Sequence, residues 1–237
     1  MRIWIFIIIA LFFTACGSGS STSVNNTPIE TITPTIIVKE EVNKELELLR
    51  VACVGDSITK GYGLDNPKVQ SYPSQLSVMF GDGWSVENYG LTNSTMLEKG
   101  DDPYSQSSVF IDSQIFEPEI VVIMLGTNDT KPFNWKYNDD FVADYTAFIK
   151  SYQTLNSNPR IWIAYPTPAF SDMAGISDEI IREEMIPLID IVAKNTGVEV
   201  IDLYNIFSGR DDLFPDTIHP NTEGAKIIAE TIYNSIY

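Results

Sequence analysis

From Leu48 onward, short apolar runs alternate with longer stretches whose apolar positions recur every three or four residues. The short runs, Leu48–Val54, Ser85–Tyr89, Ile120–Leu125, Arg160–Ala164 and Val198–Leu203, read as strands. Between them Tyr72–Phe80, Ser107–Phe116, Asp139–Leu155 and Asp178–Asn195 read as helices, and Thr222–Ile236 as a further one. Parallel strands need a crossover, and a right-handed helical crossover packs back over the sheet. The alternation therefore predicts an α/β protein, a three-layer α/β/α sandwich with a central, mostly parallel, five-stranded sheet. Ile120–Leu125 is apolar at every position and belongs at the centre, covered on both faces. No repeat of solenoid period is present.

The start of the chain has a different pattern. Arg2 precedes an unbroken apolar run, Ile3–Phe13, followed by Thr14-Ala15-Cys16. The run is too short to span a membrane as a helix and reads as an export signal. It resembles a bacterial lipoprotein leader, which implies lipid attachment at Cys16, a membrane anchor and an extracytoplasmic location, facing the periplasm or at the cell surface. Phe13 departs from that pattern, which usually has leucine or another aliphatic there. An ordinary cleaved signal with a chance cysteine is the alternative, and either way the protein leaves the cytoplasm. Residues 17–45 are rich in Ser, Thr, Asn and Pro as far as about Val38, too poor in apolar groups to offset the entropy of ordering, and read as a flexible tether. A charged stretch, Lys39–Leu46, can begin a short helix, and the folded domain is expected over residues 46–237.

Charge narrows the partners. The chain has 237 residues, with 32 Asp and Glu against 15 Lys and Arg, and its negative field repels phosphate backbones and anionic headgroups. Nucleic acid is not an expected partner, and no obligate protein partner is evident. A neutral ester is an easier substrate than a polyanion, although net charge says nothing of the potential inside a pocket. The 2 cysteines exclude a disulfide scaffold. Cys53, inside an apolar run, is expected to be buried and inert. With 1 histidine in the chain, no metal site is expected.

In open parallel sheets ligands bind beyond the carboxyl ends of the strands. Four such ends carry polar residues: Gly55-Asp56-Ser57, Gly90, Gly126-Thr127-Asn128-Asp129, and Asp216-Thr217-Ile218-His219 beyond the fifth strand. A serine hydroxyl needs a base to become nucleophilic, and the base needs a carboxylate to hold its tautomer. Only His219 can be an imidazole base, and Asp216 is placed to orient it. Asn221 reads as the N-cap of the following helix, with Glu223 favourable in its first turn. Ser57 N–H, Gly90 N–H and the Asn128 amide are candidate donors to an oxyanion. Asp56 and Asp129 read as turn-formers.

These segments resemble the four sequence blocks of the SGNH (GDSL) hydrolase family over about residues 50 to 222. Gly55-Asp56-Ser57-Ile58-Thr59 with Gly61-Tyr62-Gly63 matches the nucleophile block, Asn88-Tyr89-Gly90 the second, Gly126-Thr127-Asn128-Asp129 the third and Asp216-Thr217-Ile218-His219-Pro220 the last. The resemblance implies the flavodoxin-like SGNH hydrolase fold. It implies Ser57 as nucleophile, Asp216 and His219 completing a triad, and Ser57, Gly90 and Asn128 forming the oxyanion hole. One departure is Asn93, where the family commonly has glycine; asparagine tolerates a left-handed backbone, so the turn is expected to survive.

Specificity lives in loops, where the sequence says less. Tyr62, Tyr104, Phe133, Trp135, Tyr165 and Phe170 fall near strand ends, where rings can stack on a sugar or line an acyl channel; plain packing is the commoner role of each. Location, acidic surface and aromatics favour a short-chain carbohydrate ester, so the leading expectation is a carbohydrate O-acetylesterase acting through an acyl-enzyme and needing no cofactor. A lysophospholipase or thioesterase-like enzyme of longer acyl chains is the alternative. A catalytically silent glycan-binding lipoprotein is the third, and a glycosidase using paired carboxylates ranks last.

Overall fold

The computed structural model describes residues 48–171 and 173–237, with only the backbone of Met173. The leader, Cys16, the tether and the charged stretch at 39–46 lie outside the described residues.

Five strands, β1 (Leu49–Gly55), β2 (Trp84–Gly90), β3 (Ile120–Met124), β4 (Arg160–Ala164) and β5 (Glu199–Ile201), form one sheet in the order β2-β1-β3-β4-β5. Every pairing is parallel. Six helices matter for the site and the core: α1 (Ser57–Lys60), α2 (Tyr72–Phe80), α3 (Ser108–Ile115), α4 (Phe141–Gln153), α5 (Ile186–Thr196) and α6 (Thr222–Ile236). The fold is the expected α/β/α sandwich, wholly rather than mostly parallel.

Side chains alternate across each strand. Val51, Cys53, Val122, Met124 and Trp162 therefore face α2 and α6, where they meet Tyr72, Leu76, Ile228 and Ile232. Ala52, Val54, Val121, Ile123 and Ile163 face the other way, onto Phe148 and Tyr152 of α4 and Ile189 and Val192 of α5. Ile123 is 0% exposed on β3, the central strand, and truncating it to alanine would cost about 2–5 kcal/mol through lost transfer energy and the cavity left behind. Burial pushes the Cys53 thiol well above its usual range, which leaves it inert as expected.

Two elements differ from the expectation. β5 stops at Ile201 because Asp202 turns the chain, its carboxylate accepting from Asn205 N–H at 2.9 Å to cap a short helix, Leu203–Ile206. The expected helix Asp178–Asn195 is interrupted by a π-helical stretch, Ile181–Met185, before α5. Pro187 has no N–H to close an α-turn and its ring crowds the carbonyl one turn back, so the turn before it widens.

The chain runs from β1 to β2 on one side and returns to β3 on the other. The topological switch therefore lies between the carboxyl ends of β1 and β3, where a crevice opens in sheets of this order.

Candidate active site

At the end of β1, Gly55 lies so close to the Met124 carbonyl and the Thr59 side chain that a Cβ would collide with both. Asp56 is 1% exposed and accepts from Ile58 N–H at 2.9 Å, capping α1 and setting Ser57 at its first position. Burial pushes the Asp56 carboxyl up to about 6, opposed by that hydrogen bond and by the nearby imidazole of His219. Helix α1 closes at Gly61, whose left-handed φ of 83° lets its N–H reach back to the Ser57 carbonyl at 3.0 Å.

The base arrives on the loop after β5. Asp216 Oδ1 accepts from Ile218 N–H at 3.1 Å and His219 N–H at 2.6 Å, while Oδ2 lies 2.6 Å from His219 Nδ1. His219 Nε2 is 2.8 Å from Ser57 Oγ, so hydroxyl, imidazole and carboxylate form one hydrogen-bonded chain. Partial burial would raise the Asp216 carboxyl; its hydrogen bonds from His219 and Ile218 outweigh this and hold it below its ordinary value. The loop makes its turn through Thr217, whose φ of 70° is unusual for a β-branched residue. It is then pinned: Asn221 N–H donates to the Leu213 carbonyl at 2.7 Å, and Asn221 Oδ1 accepts from Gly224 N–H at 2.9 Å as the N-cap of α6.

Asn128, 4% exposed, stands on the turn after β3 and donates one side-chain N–H to the Ser94 carbonyl at 3.2 Å. Its amide has a second N–H for a ligand. Beside it Asp129, 0% exposed, accepts from Met96 N–H at 2.9 Å and Leu97 N–H at 2.7 Å, tying the β2 loop to the β3 loop. Burial pushes the Asp129 carboxyl up to about 7, its two backbone donors acting against the rise and the charge of Asp56 adding to it. Asp56 forms its own turn, as expected, whereas the Asp129 carboxylate ties two loops together.

Gly90 is not brought to this opening. Its N–H donates to Asn88 Oδ1 at 2.9 Å, and a Cβ at this position would run into the backbone of Thr59 and Lys60. Glycine is needed there for the close passage of β2 beneath α1, not for the approach of a substrate. Asn93, three residues on, borders the opening with a left-handed φ of 70°, and its backbone N–H donates to no described residue. The sequence had marked Asn93 only as a departure from a glycine; the free N–H follows from the way the turn is folded.

Two cavities meet at the imidazole. One, of about 300 Å³, is lined by Leu64, Asp65, Asp216 and Asn221. The other, of about 270 Å³, holds Ser57, Asn93, Asn128, Lys131, Ile176 and Ile218. Tyr62 and His219 border both, their rings 4.6 Å apart. Of the six aromatics near strand ends, Tyr62 alone lines either cavity. Tyr104 is buried with its hydroxyl on the Tyr89 carbonyl, Trp135 donates to Glu184, Tyr165 bonds Asp190, and Phe170 packs on Phe214. Phe133 is 52% exposed. Lys131 and Ile176 went unmarked in the sequence, where the one available signal was the place of Lys131 two residues after the third block.

A profile of the GDSL-like Lipase/Acylhydrolase family matches residues 53–227. The chain belongs to this family. The match spans the turns that carry Ser57, Asn128 and His219. The chain is 39% identical over 208 residues to an acetylxylan esterase of Xylanibacter ruminicola, covering 80% of this chain and 43% of that protein. It thus spans less than half the length of that relative. Among solved structures, an acetyl xylan esterase superposes with a TM-score of 0.64 at 19% identity, covering 79% of this chain and 100% of that one. A two-domain esterase active on acetylated mannans, co-crystallized with mannopentaose, superposes with a TM-score of 0.60 at 17% identity, covering 80% of this chain and 49% of that one. At these identities the structures speak for the fold of the family.

Proposed function

We propose that this GDSL family member is a serine esterase that removes acetyl groups from carbohydrates, with Ser57 as nucleophile, His219 as base and Asp216 orienting the imidazole. The unbroken hydrogen-bonded chain from Ser57 Oγ through His219 to Asp216, at 2.8 Å and 2.6 Å, carries this reading. Kinship over most of the chain with an acetylxylan esterase supports the substrate class.

His219 Nε2 takes the serine proton as Oγ attacks the ester carbonyl, while Asp216 stabilises the imidazolium that forms. The oxyanion is received by the N–H groups of Ser57 and Asn93 and the free amide proton of Asn128. Asn93 thus takes the part that the sequence had led us to expect of Gly90. The imidazolium then protonates the departing sugar alcohol, leaving an acetyl group on Ser57, and water repeats the sequence. A cavity of about 270 Å³ with an apolar wall at Ile176 and Ile218 suits a short acyl group better than a fatty chain.

Acetate release from acetylated xylo-oligosaccharides tests the reading. The wild type is expected to release it, Ser57→Ala is not, and brief acid quenching should trap one acetyl on Ser57. Preference for aryl octanoate over aryl acetate would instead favour the long-chain alternative, and full turnover by Ser57→Ala would remove Ser57 as nucleophile. We also propose a lipid anchor at Cys16 and an extracytoplasmic location, supported by the pattern of residues 2–16. Incorporation of labelled fatty acid by the wild type but not by Cys16→Ser would bear this out.

A further inference from the structure

Lys131 stands apart from the other cations. Every other lysine and arginine among the described residues is paired with a carboxylate, laid over an aromatic ring or exposed to solvent. Lys131 is half-buried, has no ion-pair or hydrogen-bond partner for its ammonium among the described residues, and lines the same cavity as Ser57, Asn128 and His219. In a chain with 32 acids against 15 bases, a partly desolvated cation without an anion is the exception.

Its position is held by the fold. The backbone N–H of Lys131 donates to the Asn128 carbonyl at 3.3 Å, and its carbonyl receives Asn134 N–H at 2.8 Å and Trp135 N–H at 2.9 Å. Pro132 follows directly, and the side-chain stem passes beside Gly175. Lys131 is thus mounted on the turn that presents Asn128, at the border of the site and not on a free surface.

We propose that Lys131 is a specificity-determining residue that receives a carboxylate of the substrate, so that the preferred esters are acetyl groups on glycans bearing a uronic acid near the acetylated sugar. This rests on the esterase reading above and narrows its substrate. It also revises the expectation of a neutral ester drawn from net charge. Surface charges more than about 8–10 Å away are largely screened at physiological salt, whereas a fixed cation at the cavity wall acts at contact distance. The local charge therefore decides. An ammonium pairs with a carboxylate as a charge-assisted hydrogen bond, and no proton transfer or cofactor is involved.

The test compares acetate release from two pools of acetylated xylo-oligosaccharides, with and without a glucuronic acid branch, separated by anion exchange. The wild type should show a kcat/KM at least about tenfold higher on the acidic pool, the effect expected of one hydrogen bond to a charged group. High salt should shrink the ratio, Lys131→Met bring it close to one, Lys131→Glu invert it and Lys131→Arg keep most of it. Aryl acetate turnover checks that each variant remains assembled, and Lys150→Met, on the exposed side of α4, should keep the wild-type ratio. Equal rates on both pools, unmoved by Lys131→Met, would overturn the role of Lys131 and leave carbohydrate deacetylation standing. Turnover of aryl acetate with no acetate from either pool would overturn both readings.

Discussion

Ser57 and Asn128 stand on turns buried to 7% and 4% exposure, whereas the Asp216 side chain, at the far end of the same hydrogen-bonded chain, is 42% exposed. The buried side is set by contacts across the sheet: Gly55 against Met124, Asp129 bridging to Met96 and Leu97, Asn128 holding Ser94. The exposed side is set almost within itself, by Asp216 binding backbone and ring of the residues just after it, and by the cap of α6. Groups that must hold still while charge develops are fixed by burial. The base is carried by a local loop motif that water reaches.

Substitutions put this contrast to the test. The largest effect is expected at the junction of the two sides: Ser57→Ala or His219→Ala should lower kcat by at least about a thousandfold, since each removes a member of a unit that acts together. Circular dichroism should show the fold retained. Next, Asn128→Ala should lower kcat by about a hundred- to a thousandfold with little change in KM, as for loss of one oxyanion donor. A KM effect alone would remove Asn128 from that role.

Asp216→Asn should cost about a hundredfold in kcat, toward the lower end of what tautomer errors cause, because water can partly replace an exposed carboxylate. A loss exceeding that of Asn128→Ala would break the contrast between a rigid buried side and a tolerant exposed one. Asp216 is also held below the ordinary carboxylate range, so it gives the rate no titration of its own near neutrality.

Asp129→Asn tests the buried side by stability and should cost about 1–3 kcal/mol at about pH 4, where that side is most stable, because an amide cannot accept from both Met96 and Leu97 in the same geometry. The pH dependence carries a sign. Asp129 is pushed up to about 7, above its value of about 4 when unfolded, so the folded state binds more protons over that window. Its contribution to stability is complete below about pH 4 and is lost as pH rises toward 7. The amide does not titrate, and the gap between wild type and variant in urea denaturation should therefore narrow from pH 4 to pH 7. A widening gap would refute the assignment. Smallest of all, Thr217→Asn should change stability by less than about 1 kcal/mol, since relief of a left-handed β-branched residue is set against the lost hydroxyl contact with Ser171, 2.6 Å away.

Much of this was legible in the residues themselves. The five strands were found because alternation and apolar runs have a period that packing has to respect, and α6 was placed at Thr222–Ile236 because Asn221 caps and Ile228, Ile232 and Ile236 repeat on one face. Ser57 and Asn128 were singled out because polar residues straight after buried strands open onto the carboxyl edge of the sheet, His219 because it is the one histidine of the chain, and Asp216 because it lies three residues before it. The π-helical stretch at Ile181–Met185 was missed because its cause, a proline, also suits the first turn of a helix.

The layering, the strand ends and the chemical kind of the groups placed there can thus be read along the chain, since these depend on periodicity and on caps within a few residues. Tertiary structure decided the rest. Whether Gly90 or Asn93 turns its N–H to the opening depends on Asn88, which donates to the Thr59 carbonyl at 2.8 Å and so turns its Oδ1 to the Gly90 N–H, while no described residue accepts from Asn93 N–H. Whether Lys131 finds an acid depends on which loops come to lie around it. Both are choices of partner between segments brought together only by the sheet, and neither pattern nor composition encodes the distance at which such partners meet.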